Sequence, residues 1–227
     1  MNQEPFPIEQ SQTSPGPRPF SEIPPLWLKI FQMTEGFFAQ EAPRYSNVNT
    51  FIAILISTVI AASLGVIAQF TTTSFQNALL KNLYPGGIQE SLMPSFGFGE
   101  IILLWITVLV ITIVAFYFSA GLVYLAARLM GGSGSYGVQA YLFSLVSAPL
   151  GIVSGLLAII PCLGPLVSLG FSIYALVLQV RAVKVVHNLT SGKAAGAVLL
   201  PIALLFVGLC CLYIIGVAVF LNMNRTF

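Results

Sequence analysis

The chain has 227 residues, 57% of them apolar and only 7% charged, with nine basic side chains against seven acidic ones. A water-soluble domain carries about a quarter charged residues, so this composition excludes a soluble globular fold and makes lipid the solvent for most of the surface. A net charge of +2 without a clustered basic face excludes nucleic-acid binding, and with no Asp and a single His, His187, metal, cofactor and acid/base sites have almost no candidate members.

The first 25 residues hold Pro5, Pro7, Pro15, Pro17, Pro19, Pro24 and Pro25 among polar side chains, a composition that predicts a disordered leader over 1–25. In the next segment, 26–48, Leu26, Ile30, Met33, Phe37 and Phe38 recur at helical spacing while Lys29, Gln32, Glu35 and Gln40 take other faces. An amphipathic helix in the membrane interface is expected there, with the Trp27 ring at headgroup level. The alternative is a short helix packed on the membrane bundle or on a partner.

A five-span membrane domain is expected over 49–221, followed by a short tail, 222–227. Residues 51–70 form an uncharged run long enough, at about 1.5 Å per residue, to cross the roughly 30 Å hydrocarbon core. Thr71 to Glu100 then breaks the apolar pattern with Gln76, Lys81, Glu90 and the turn residues Tyr84 to Gly87, which mark an extramembrane connection. The second span is predicted over 101–127, with Arg128 reaching the headgroups. No Lys, Arg, His, Asp or Glu follows until Arg181, far too long for one crossing, and Pro161-Cys162-Leu163-Gly164-Pro165 divides this stretch into spans over 141–160 and 166–180. A short basic loop, Arg181 to Lys193, leads to the last span, 194–221.

Basic residues stay on the cytoplasmic side of a membrane. With the N-terminus inside, Arg18, Lys29, Arg44, Arg128, Arg181, Lys184 and Lys193 lie inside, against Lys81 and Arg225 outside. Cys162, Cys210 and Cys211 read as packing residues rather than a disulfide framework.

Two motifs overlap in the loop Gly131 to Gly137. From Gly132 it reads G-x-G-x-x-G, but a dinucleotide site needs a preceding β-strand, and here a lipid-facing helix precedes. From Gly131 it reads G-x-S-G, the pattern around the serine of rhomboid-type intramembrane proteases, with Ser133 as nucleophile and His187 as the imagined base. A glycine-rich turn is the favoured reading, with His187 a cation at a helix C-terminus. Coupled transport would need charged side chains in mid-span, and none is present. A passive pore lined by Ser57, Thr58, Thr107, Thr112, Ser144, Ser147 and Ser172 is the alternative, although such hydroxyls more often bond neighbouring helices. Gly151 and Gly155, as G-x-x-x-G, predict close helix contact within the bundle or between protomers.

The order of features resembles the Yip1-domain family. The matching residues are Trp27, Phe37-Phe38 and Pro43 before the first span, then Ala127-Arg128-Leu129-Met130-Gly131-Gly132-Ser133-Gly134-Ser135-Tyr136. Ser147-Ala148-Pro149-Leu150 and Val177 to Val183 follow, so the resemblance covers about Leu26 to Leu221. It implies a polytopic membrane protein without catalytic residues, whose eukaryotic members look like adaptors for prenylated Rab GTPases in vesicle formation. The acidic, aromatic N-terminal motif associated with that branch is absent here, and the leader looks more like that of prokaryotic members. The expectation is therefore an all-α, nonenzymatic scaffold or adaptor of the plasma (inner) membrane, without cofactor or metal. Its partners are the lipid bilayer, a protein engaging the cytoplasmic leader and basic loop, and a second copy of the chain. The runner-up function is a passive permease or channel, with a protease third.

Overall fold

A computed structural model of the chain describes residues 16–83 and 97–223, and within them all regular structure is helical. Five long helices are each apolar and long enough to cross a membrane. They are α3 (Asn47–Leu83), α4 (Phe98–Leu129), α5 (Tyr136–Ala158), α6 (Leu163–His187) and α7 (Ser191–Met223). Before them come α1 (Ile23–Trp27) and α2 (Glu35–Glu41), joined and flanked by single 3₁₀ turns at 20–22, 30–32 and 42–44.

Each long helix covers most of one expected span with other bounds: α3, α4, α6 and α7 run past theirs at both ends, while α5 starts five residues early and ends two short. Hydropathy stops where the lipid stops, whereas backbone hydrogen bonding continues into water wherever nothing interrupts it. α3 therefore runs through Thr71 to Leu83, which the sequence placed in a connection, and reaches about 55 Å by helical rise. The turn expected at Tyr84 to Gly87 lies outside the described residues. The expected basic loop is likewise mostly helix: Arg181, Lys184 and His187 occupy the last turns of α6, and the connection shrinks to 188–190. Asn188 closes that helix in the left-handed conformation at φ 53°, which Asn tolerates better than most residues.

Between α5 and α6 the proline turn is confirmed and its glycine explained. A Cβ on Gly164 would sit 2.1 Å from the Leu157 carbonyl oxygen, so only glycine lets the chain reverse this tightly. The prolines within spans do not interrupt them, since α5 continues through Pro149 and α7 through Pro201.

α5 is the hub. It packs against α3, α6 and α4, and residues 139–146 are all buried. Close approach of α5 to α3 depends on Gly155, whose added Cβ would meet Ala61 Cα at 3.2 Å, while Gly151 has open space around it. The G-x-x-x-G expectation thus holds for one glycine, within the chain. α4 and α7 form a second pair that also contacts α3 and α6.

The N-terminal expectation needs one correction. Within the described part of the leader, Phe20 to Pro25 is helical rather than disordered, and Ile23 is fully buried. Pro24 sits in the first turn of α1, where a missing N–H and preset φ are an advantage. The segment that follows is helical in short pieces, a jointed strap packed on the bundle, which is the second of the two expected arrangements rather than one continuous helix in the interface. Its apolar residues Leu26, Ile30, Met33 and Phe38 are buried in the same core as Tyr141, Leu145 and Leu178 of the bundle. Trp27 too packs against that core, with its indole nitrogen buried.

The cysteines are free, as expected, but exposed rather than packed inside the chain, Cys162 in the α5–α6 turn and Cys210 and Cys211 on α7. Arg18, Arg44, Arg128, Arg181, Lys184 and Lys193 gather at one end of the bundle, hereafter the basic end, and Lys81 lies at the other end of α3.

Candidate functional site

The residues singled out in the glycine-rich loop meet the single histidine at the basic end. α4 ends because Gly131 turns to φ +91° and the Gly132 N–H donates back to the Ala127 carbonyl at 2.9 Å. The loop then folds over the last residue of α6. Added Cβ atoms would lie 2.8 Å from the His187 ring at Gly132 and 2.4 Å from the Val186 carbonyl oxygen at Gly134. Both glycines are therefore required by contact rather than by flexibility.

His187 is 1% exposed, and both ring nitrogens are engaged. The Gly134 N–H donates to Nδ1 at 3.2 Å, so Nδ1 carries a lone pair and the ring is neutral, with its proton on Nε2. That proton is donated to Gln139 Oε1 at 2.8 Å, and Gln139 Nε2 donates in turn to the Ala120 carbonyl at 2.9 Å. This chain ties α6, the α4–α5 loop, α5 and α4 together through one fully satisfied polar network. The Ser133 N–H closes it further onto the His187 carbonyl at 3.3 Å.

Aromatic rings flank the network. Tyr124 stacks obliquely 5.7 Å from His187 and edge-on 5.8 Å from Tyr136, whose hydroxyl donates to the Tyr117 carbonyl at 3.0 Å. The Arg128 guanidinium lies 5.4 Å over the Tyr124 ring, bonded to its hydroxyl and to the Gly132 carbonyl.

This geometry decides between the motif readings. The protease reading needs His187 to accept the Ser133 proton, yet Nδ1 already accepts from Gly134 and Nε2 is a donor to Gln139. The nucleotide reading needs open N–H groups at the glycines, and those of Gly132, Ser133 and Gly134 are all committed to protein acceptors. His187 does stand at a helix C-terminus, but as a buried neutral ring rather than the cation expected there.

A second polar cluster anchors the strap. Arg18 pairs with Glu41 in a fork, its Nε donating at 2.9 Å, and also with Glu22. The Glu41 carboxylate is buried and accepts from the Tyr141 hydroxyl of α5 at 3.3 Å, while Asn49 of α3 donates to the Arg18 carbonyl. The hydrogen bond to Glu41 is the main reason the Arg18 guanidinium sits above its ordinary pKa. Nothing in the leader's composition marked this pair, although Phe20 and Ile23 do extend the apolar spacing of Leu26 and Ile30 backwards.

The hydroxyls considered for a pore mostly bond their own helices rather than neighbours. Ser57, Thr107, Ser144 and Ser172 each donate to a backbone carbonyl three or four residues earlier. Thr58 and Thr112 instead line a cavity of about 770 Å³ between α3 and α4, together with Gln69, Gln76 and Trp105. Among the described residues no group of His, Cys or Glu is arranged to hold a metal.

The family model described as the Yip1 domain matches residues 34–212, more than three quarters of the chain. No curated protein and no solved structure matches. The matched range contains α2, the glycine latch on His187, the α5 hub and most of α7, and on that span the chain belongs to the Yip1-domain family.

Proposed function

We propose that this multi-pass Yip1-family protein is a nonenzymatic membrane scaffold or adaptor whose partner surface is its basic end, with the N-terminal leader. One observation carries the reading: His187, the one side chain the sequence offered as a base, has both ring nitrogens committed, to the Gly134 N–H and to Gln139, and so ties helix ends together instead of activating Ser133. What faces outward at that end is charge, including Arg128, Lys193 and the exposed Lys184–Glu35 pair at 2.8 Å. The distribution of Lys and Arg supports a cytoplasmic basic end, and the likeness of the leader to that of prokaryotic family members supports the plasma (inner) membrane of a prokaryotic cell. Self-association through the exposed apolar faces of α4 and α7 is compatible with this reading.

Crosslinking in intact membranes followed by mild-detergent purification tests it. A partner retained by the native chain and lost from Lys193→Glu with Arg44→Glu supports the adaptor reading; recovery of none, or one indifferent to both charges, counts against it. The second reading, a passive permease, rests on the α3–α4 cavity of about 770 Å³, whose uncharged, mostly apolar lining includes the polar side chains of Thr58, Gln69, Thr73, Gln76 and Thr112. Solute flux into proteoliposomes above that of empty vesicles would establish it.

A further inference from the structure

The strap does not lie flat across the basic end but descends along α6. Glu35 meets Lys184 Nζ at 2.8 Å, the Met33 carbonyl accepts from Arg181 at 3.1 Å, and the Ile30 carbonyl accepts from the Tyr174 hydroxyl at 3.1 Å. The Phe31 ring reaches further, stacking 5.6 Å from Tyr174 and lying 6.3 Å from Phe171. Each contact is deeper on α6 than the last. At about 1.5 Å per residue, Tyr174 lies about 10 Å beyond Arg181 and about 15 Å beyond Lys184.

α6 is one of the spanning helices, and it carries no Lys, Arg, Asp or Glu between Leu163 and Val180. Its hydrocarbon zone therefore begins just beyond Arg181, and one leaflet of the core is about 15 Å thick. Helical side chains lean toward the N-terminus, so the Phe171 and Tyr174 rings point away from the basic end. Phe31 is consequently no shallower than the level of Tyr174. Phe31, at that depth, is 69% exposed, and Leu28, three residues earlier in the same elbow, is 88% exposed.

We propose that the elbow Leu28–Phe31 is inserted into the acyl region of the leaflet at the basic end, with phospholipid chains as its partner and Leu28 and Phe31 as the inserted side chains. Lys29, between them, is exposed and has a stem long enough to return its ammonium toward the phosphates. The insertion is one-sided: Leu26, Ile30 and Met33 hold the elbow on the bundle while Leu28 and Phe31 hold it in lipid. It stands whether or not a protein partner exists, since it concerns the solvent of a segment rather than its ligand.

The test uses the full chain, one copy per phospholipid nanodisc, with Cys162, Cys210 and Cys211 replaced by Ser and a nitroxide on Leu28→Cys. That substitution removes almost no packing. Ile173→Cys, 58% exposed on α6 beside Tyr174, is the lipid control, and Gly192→Cys in the α7 N-terminal turn is the aqueous one. The expected result is collision with oxygen several-fold above that with a water-soluble nickel chelate, as at Ile173→Cys. Nickel access equal to that at Gly192→Cys overturns the proposal, and so does protection from both reagents, which would mean that protein covers the elbow. The unmodified chain supplies a second measurement. A carbene probe carried on acyl chains should label Leu28 and Phe31 alongside Ile173, and labelling of Ile173 alone would overturn the proposal without any substitution.

Discussion

A glycine in a loop is usually credited with flexibility, but Gly132 and Gly134 act through absence of volume, because a Cβ at either would collide with His187 or Val186. Gly134→Ala should lower stability in detergent by about 1–3 kcal/mol, the usual range for forced overpacking, as read by a thermal-unfolding scan. Gly192→Ala, with nothing within 4 Å and in a helical turn, should leave the midpoint unchanged or slightly raised. In the network, Gln139→Leu strands the buried Nε2–H of His187 and should cost about 1–3 kcal/mol, whereas removing both polar partners in a Gln139→Leu, His187→Phe variant should recover part of that loss. The same logic applies to the strap anchor. Arg18→Ala leaves the Glu41 carboxylate, 5% exposed, without its cation and should cost about 3 kcal/mol, while Arg18→Met with Glu41→Leu should be far milder. Because the folded pKa of Arg18 is raised, its contribution is present below the unfolded value and is lost only as pH climbs past the folded one, well above neutrality. Stability attributable to Arg18 protonation should therefore be flat between pH 6 and 9 in the same scan.

At the scale of elements, the apolar runs identified all five spans because a helix in lipid must satisfy its backbone internally and present apolar side chains all round. They did not show where the helices end, since α3 and α6 continue past their apolar stretches, α6 with its last turns held by the Arg181, Lys184 and His187 contacts. The α5–α3 seam is specific: Gly155→Leu should destabilise by about 1–3 kcal/mol through collision with Ala61 and Leu64, while Gly151→Ala should be tolerated. The strap shows what periodicity can and cannot deliver. Leu26, Ile30, Met33 and Phe38 were correctly marked as one apolar face, but a face specifies burial without naming the burying surface, and here that surface is α5 and α6 more than lipid. Only Leu28 and Phe31, off that face, are left for the membrane.

For the whole molecule, the alternating directions of α3 to α7 bring the basic residues around the start of α3, the end of α4, the end of α6 and the start of α7 together, with Lys81 at the opposite end. The orientation proposal then predicts that an impermeant thiol reagent applied to intact cells will label a cysteine at position 87 but not Gly192→Cys, with the latter reacting after the membrane is opened. Composition and run length alone determined the solvent, the helical class and the number of crossings, because lipid imposes those on any chain with so few charges. The Gly-Gly loop and its neighbours were also enough to indicate the family. Only the tertiary structure decided that His187 is a buried neutral strut, that Arg18 reaches Glu41, and that the strap descends α6. Those pairings join residues separated by 48, 23 and up to 149 positions, and side-chain chemistry at such distances is set by which helix ends the bundle brings together.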